Sequence, residues 1–241
     1  MPDKRMHRGQ HPADFKLFAD DKLADIRSAV ADFSLLLTKG YAEKSALKLV
    51  GDKFSLTERQ RIAVMRSSCS DEHLRSRKQR EVEIDKLRSK ALAIDGYNIL
   101  ITLEAAISGG LIFKGRDGCF RDLASIHGTY RKVTETIPAL QLIAEFLKEA
   151  DAVECLWLLD SPVSNSGRLK GLINQLSQEN SWPWQVELLP SPDSKLIKTD
   201  VIVASSDGII LNGCKTWLNL ARAVIESKLA GVNIIDMSMS D

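Results

Sequence analysis

No two of the four cysteines, Cys69, Cys119, Cys155 and Cys214, fall into a Cys-x-x-Cys pair. That spacing argues against a zinc site or a dithiol redox motif, and isolated thiols are expected to stay reduced in a cytoplasm. The four histidines, His7, His11, His73 and His127, form no ligand cluster in the sequence either. No stretch approaches 18 consecutive apolar residues, so no membrane-spanning helix and no membrane partner is expected. The opening MPDKRMHRGQHPADF is charged and has no apolar core of a secretory signal. Residues 1–14 therefore read as a disordered or loosely attached tail. The phosphate-cradling G-x-x-x-x-G-K-[ST] spacing is absent as well.

What remains is a chain of ordinary globular composition, 44% hydrophobic and 27% charged over 241 residues. The length allows one large domain or two small ones. Net charge is +1, but residues 1–90 carry 20 Lys/Arg against 14 Asp/Glu, and residues 91–241 carry 13 against 18. A basic front joined to an acidic back implies a division of labour.

The front is helical by its periodicity. Leu23, Ile26, Val30, Phe33 and Leu37 recur at gaps of three and four, which places them on one helix face. A short helix is expected over about 42–50, stopped by Gly51. Thr57 followed by Gln60 reads as a capping box, and a long polar helix is expected from Ser70 to the strand at Ala91. The six-residue gap from Gly51 to Leu56 is longer than the turn of a helix-turn-helix, so DNA reading is the less expected use of these helices. Residues 15–90 thus read as a small, basic, all-α domain. Arg75, Arg77, Lys78 and Arg80 are its candidate phosphate contacts, which need positive charge and no sequence code.

Residues 91–241 read as an α/β domain. ALAID, AVECLWLLD, WQVELL, DVIVASSD and VNIID have strand character, and helical segments separate most of them, with TWLNLARAVIES the last helix. Residues 111–131 carry no clear pattern. Alternation of this kind predicts an open parallel sheet with helices on both faces. Three strands run into an acid: Asp95, Asp160 and Asp207. Ligands in open α/β sheets sit beyond the carboxyl ends of the strands, and three carboxylates gathered there require a cation. Oxygen donors favour Mg²⁺ or Mn²⁺. Asp236 also ends a strand and reads as structural. Gly96 permits a close backbone approach, while Asn98 is suited to hold water or phosphate, or to cap the next helix. After Asp160, SPVSNSGRLK places Ser164, Ser166 and Arg168 at a helix start, where free N–H groups favour an RNA phosphate.

At AIDGYNIL and VASSDGIIL the sequence resembles the NYN branch of the PIN-like nuclease superfamily, over about residues 91–236. The whole chain also resembles an uncharacterised prokaryotic two-part family, in which a helical segment containing LLLTKGYAEKSALKLVGDKF precedes the PIN-like part. DGCFRD and LDSPVSNSGRL also resemble signatures of that family. The resemblance implies a PIN-like fold and a metal-dependent endoribonuclease using Mg²⁺ or Mn²⁺. Asp95, Asp160 and Asp207 carry over as acids of the site, with Asn98 beside them. A further acid is common on a helix before the late strand, and Asp193 suits that place better than Asp200. The resemblance to the two-part family adds Asp117, Arg121 and Asp122. Two other readings compete. One is a non-catalytic module that binds RNA or a partner on the same fold. The other is a Mg²⁺-dependent phosphohydrolase, which is weaker because the haloacid-dehalogenase type needs Asp-x-Asp and Tyr97 occupies the second position.

Overall fold

A computed structural model describes residues 7–124 and 128–238. The apolar stripe lies on α2 (Asp20–Thr38), which buries Ile26, Val30 and Phe33. A single turn, α1 (Asp14–Leu17), precedes it, and α3 (Glu43–Lys53), α4 (Glu58–Ser67) and α5 (Asp71–Arg80) follow. Thr57 caps α4 as its sequence implies, with its hydroxyl accepting from the Gln60 N–H and the Gln60 side chain accepting from the Thr57 N–H at 3.0 Å.

Three local expectations are corrected. Gly51 does not stop α3, which continues to Lys53. Its missing side chain instead makes room for the Arg61 guanidinium, which donates to Asp52 and to the Leu56 carbonyl. The long polar helix from Ser70 ends at Arg80, because Glu81 turns extended and bridges to Trp217 while the Val82 N–H donates to the Trp217 carbonyl at 2.8 Å. The tail is not loose where it is described. His7 Nδ1 lies 2.6 Å from Glu135, Arg8 pairs with the fully buried Glu104, and Arg59 donates to the buried Asp14 at 2.8 Å. Residues 1–6 and His127 lie outside the described residues.

The back part is built on a five-stranded parallel sheet. Its strands are β1 (Ala91–Asp95), β4 (Glu154–Asp160), β5 (Trp184–Leu189), β6 (Ile202–Ala204) and β7 (Trp217–Leu218). Between them come α6 (Gly96–Ile107), β2 (Ile112–Lys114), β3 (Phe120–Arg121), α7 (Thr136–Glu149), α8 (Ser166–Asn180), α9 (Asp193–Lys198) and α10 (Gly208–Gly213). The chain then continues through α11 (Leu220–Lys228) and β8 (Ile234–Asp236). Trp217 and Leu218, expected to open the last helix, pair with Val203 and Ala204 instead. The strand order is β5-β4-β1-β6-β7. Alternate side chains sort the two faces. Leu92, Ile94, Trp157 and Leu159 pack with α6, α7, α8 and α11, whereas Ala93, Leu158 and Val203 pack with α9 and α10.

From the unpatterned stretch, β2 and β3 join β8 in a second sheet, in the order β3-β2-β8. VNIID therefore joins this small sheet and not the large one. Phe113, Leu123 and Met237 pack there against Ile26, Val30 and Phe33, so the front helices and the small sheet share one apolar cluster. Asp236 is structural, bound by Lys114 Nζ at 2.6 Å. Among the described residues no helix is long and apolar enough to cross a membrane.

Candidate acidic site

β1 runs to β4 and β5 on one side, while β6 and β7 lie on the other, so the direction of winding reverses at the β1/β6 boundary. A crevice opens at such a reversal, beyond the carboxyl ends of the strands. β1 ends there on Asp95, and the adjacent β4 ends on Asp160. β6 stops at Ala204, and a three-residue turn carries Asp207 to the start of α10, which it caps through N–H groups of Ile209 (2.7 Å) and Ile210 (3.3 Å). Asp193 opens α9 on the face that α10 shares.

These four acids feel one another. Asp95 keeps part of its surface at the crevice, yet burial pushes its carboxyl up to about 7, helped by the charges of Asp207, Asp193 and Asp160. Burial also raises Asp160, with Asp193 beside it, and raises Asp193, with Asp207 beside it. A set of oxygens that repel one another suits a hard divalent cation. Among the described residues, however, no group of three or more His, Cys, Asp or Glu side chains is placed to hold a metal ion by itself. Mg²⁺, if bound, would take one or two of these carboxylates directly and fill the rest of its shell with water.

Two serines that sequence reasoning left unassigned hold the crevice together. Ser205 Oγ donates to Asp95 Oδ2 at 2.7 Å and accepts from the Asp207 N–H at 2.9 Å. Asn98 Oδ1 accepts from both the N–H and the hydroxyl of Ser206 at 2.8 Å. The two quoted motifs are thus hydrogen-bonded to each other across the reversal. The carbonyl oxygen of Asn98 is a clip between them, and its amide NH₂ makes no hydrogen bond among the described residues. Tyr97 is a second omission. It is 5% exposed, its hydroxyl has no partner among the described residues, its ring lies 5.3 Å from Tyr130, and burial and the nearby Asp160 push it up to about 12.

Other candidates are placed elsewhere. Asp117 and Arg121 form a buried ion cluster with Arg77 and do not belong to the acidic group. Burial opposes ionisation of Asp117, but the charges of Arg121 and Arg77 outweigh it and hold the carboxyl well below the usual range. Asp122 accepts from Thr102 at 2.9 Å and from the Ala124 N–H at 2.6 Å, which makes it a structural acid. Arg77 and Arg80, expected to face RNA, donate inward to groups of the back part, while Arg75 and Lys78 stay exposed. Ser164 pairs through its backbone with Gly128 and Tyr130, and Ser166 is buried with its hydroxyl on the Ser161 carbonyl at 3.3 Å. Arg168 is exposed.

Residues 84–223 match the family described as Domain of unknown function (DUF5616). The chain belongs to this family. Residues 25–80 match a second description, Protein of unknown function (DUF434), which gives the chain its two-part make-up. An uncharacterized protein of Methanocaldococcus jannaschii, MJ0935, is 31% identical over 186 residues, covering 77% of this chain and 88% of that protein. No solved structure matches.

Proposed function

We propose that the chain is a metal-dependent endoribonuclease of PIN-like, NYN type that hydrolyses RNA phosphodiesters in a cytoplasmic setting. The observation that carries the reading is the group of four acids, Asp95, Asp160, Asp193 and Asp207, at the winding reversal of a parallel sheet. The likeness of AIDGYNIL and VASSDGIIL to that branch supports it. Asp95, Asp160, Asp207 and Asp193 are the residues that would hold Mg²⁺ or Mn²⁺. Bound there, the ion supplies Lewis acidity, lowering the pKa of an attacking water and offsetting charge on the phosphoryl oxygens. The chain itself orients the acids. Ser205 fixes one oxygen of Asp95, and the α10 amides fix one oxygen of Asp207, whose other oxygen meets no donor among the described residues. The exposed Arg75, Lys78 and Arg168 supply the positive charge for the RNA backbone.

The test incubates the purified full chain with mixed RNA in Mg²⁺, in Mn²⁺ and in EDTA, alongside Asp95→Asn and with single-stranded DNA as a second substrate. Fragments in either metal, none in EDTA and none with Asp95→Asn are expected. RNA binding that survives in all lanes without fragments would replace this reading with the non-catalytic module.

A further inference from the structure

Asp207 is gripped from both sides by arginines that share one buried carboxylate. Arg77 Nη1 lies 2.5 Å from Asp117 Oδ2, and Arg121 forks the same carboxylate at 2.9 and 2.7 Å. All three residues are buried, at most 8% exposed. Arg121 Nε then donates to the Ser206 carbonyl at 2.8 Å, and Arg77 Nη2 donates to the Gly208 carbonyl at 3.2 Å. Those carbonyls stand on either side of Asp207. Gly208 is compatible with this approach because a Cβ there would lie 3.1 Å from Arg77 Nη2.

The grip extends along α10. Arg77 Nε donates to Asn212 Oδ1 at 2.9 Å, and Arg80 donates to the carbonyls of Leu211 (2.8 Å), Asn212 (3.3 Å) and Cys214. A six-residue helix has almost no stability of its own, so α10 takes its position from its neighbours: Ile210 and Leu211 pack on the sheet and α9, and α5 holds its polar side. The front and back parts also meet through apolar packing and through the Arg66–Asp122 and Asp71–Arg116 ion pairs. Here they meet through buried charge, which is a weak stabiliser compared with apolar side chains, and the remaining donors converge on one short loop.

We propose that Asp117, Arg77 and Arg121 form a positioning clamp for Asp207, so that the front helical region completes the acidic site of the back part. The inference rests on the reading of that site given above. A lysine cannot reproduce a guanidinium fork. Arg77→Lys and Arg121→Lys therefore keep a charge opposite Asp117 and lose the reach to the loop carbonyls. Gly208→Ala disturbs the Arg77 contact with every charge in place, and so serves if the lysine variants do not fold. Arg59→Gln is the control, since it breaks the ion pair to buried Asp14 wholly within the front region.

Two quantities are measured on the full chain: amide hydrogen exchange at Ile209 and Ile210, and Mn²⁺ affinity by calorimetry. The clamp variants are expected to exchange at least about tenfold faster at those amides and to bind Mn²⁺ about tenfold more weakly, while the control changes neither. Clamp variants indistinguishable from the control would overturn the proposal. Absence of Mn²⁺ binding by the unaltered chain would instead defeat the metal reading. The exchange arm then decides the clamp alone, for it if the amides loosen and against it if they do not.

Discussion

A carboxyl held at about 7 makes Asp95 a source of pH-dependent stability. Its unfolded value is near 4, so the folded chain binds the proton more tightly than the unfolded one. The group therefore favours the fold fully below about pH 4, and that contribution is lost as pH rises towards 7. Asp160 and Asp193 are shifted in the same direction. Metal-free protein in EDTA is expected to lose on the order of a few kcal/mol between pH 4.5 and 8. Urea unfolding across that range checks it. Asp95→Asn should flatten most of the slope, and a slope unchanged by that substitution would mean the shift lies elsewhere. Asp117 has the opposite sign, because its carboxyl is held low and its contribution disappears only in stronger acid. The two effects separate on the pH axis.

Between neighbouring elements, α6 sits against the end of β4 with no side chain at the closest point. A Cβ on Gly96 would meet the Leu159 side chain and would stand 3.0 Å from the Leu158 carbonyl. The leucine side chain has room to adjust, whereas the backbone oxygen is fixed by the β4/β5 ladder. Gly96→Ala is expected to cost about 1–3 kcal/mol by overpacking, read as a lower urea midpoint. Because Asp95 is the preceding residue, the same variant should also weaken Mn²⁺ binding. Full stability in Gly96→Ala would show that α6 lifts from the sheet without strain. Gly51, which also faces a neighbour, differs in kind, since there the crowding group is the movable end of Arg61.

Across the whole molecule, α5 has two faces with different duties. Arg77 and Arg80 turn towards α10, and Arg75 and Lys78 turn to solvent. Each phosphate contact to single-stranded RNA contributes about 0.7 to the slope of log affinity against log salt. Neutralising Arg75 and Lys78 together is expected to flatten that slope by about 1.4, leaving the melting temperature and Mn²⁺ affinity unchanged. Fluorescence anisotropy at several salt concentrations measures it, and an unaltered slope would assign these two residues to a solvated face. Arg77 and Arg80 should behave the other way, lowering stability with no special effect on the salt slope.

The sequence alone determined the features that depend on near neighbours. The 3-and-4 spacing from Leu23 to Leu37 makes α2 whatever surrounds it, Thr57 and Gln60 close a capping box within four residues, and the near-continuous apolar run of β4 requires cover on both faces. The acids ending β1 and β4, Asp95 and Asp160, were legible for the same reason, whereas Asp207, expected to end a strand, lies three residues beyond β6 and caps α10. Only the tertiary structure decided what depends on distant partners. Trp217 became a strand because Val203 offered an open edge, and Glu81 left its helix to pair beside Trp217. Arg77 looks on its own helix like one more surface base, and only a carboxylate forty residues away and carbonyls more than a hundred away turn it inward. Local spacing encodes local hydrogen bonds and burial, but a buried charge is given its meaning by whichever distant group neutralises it.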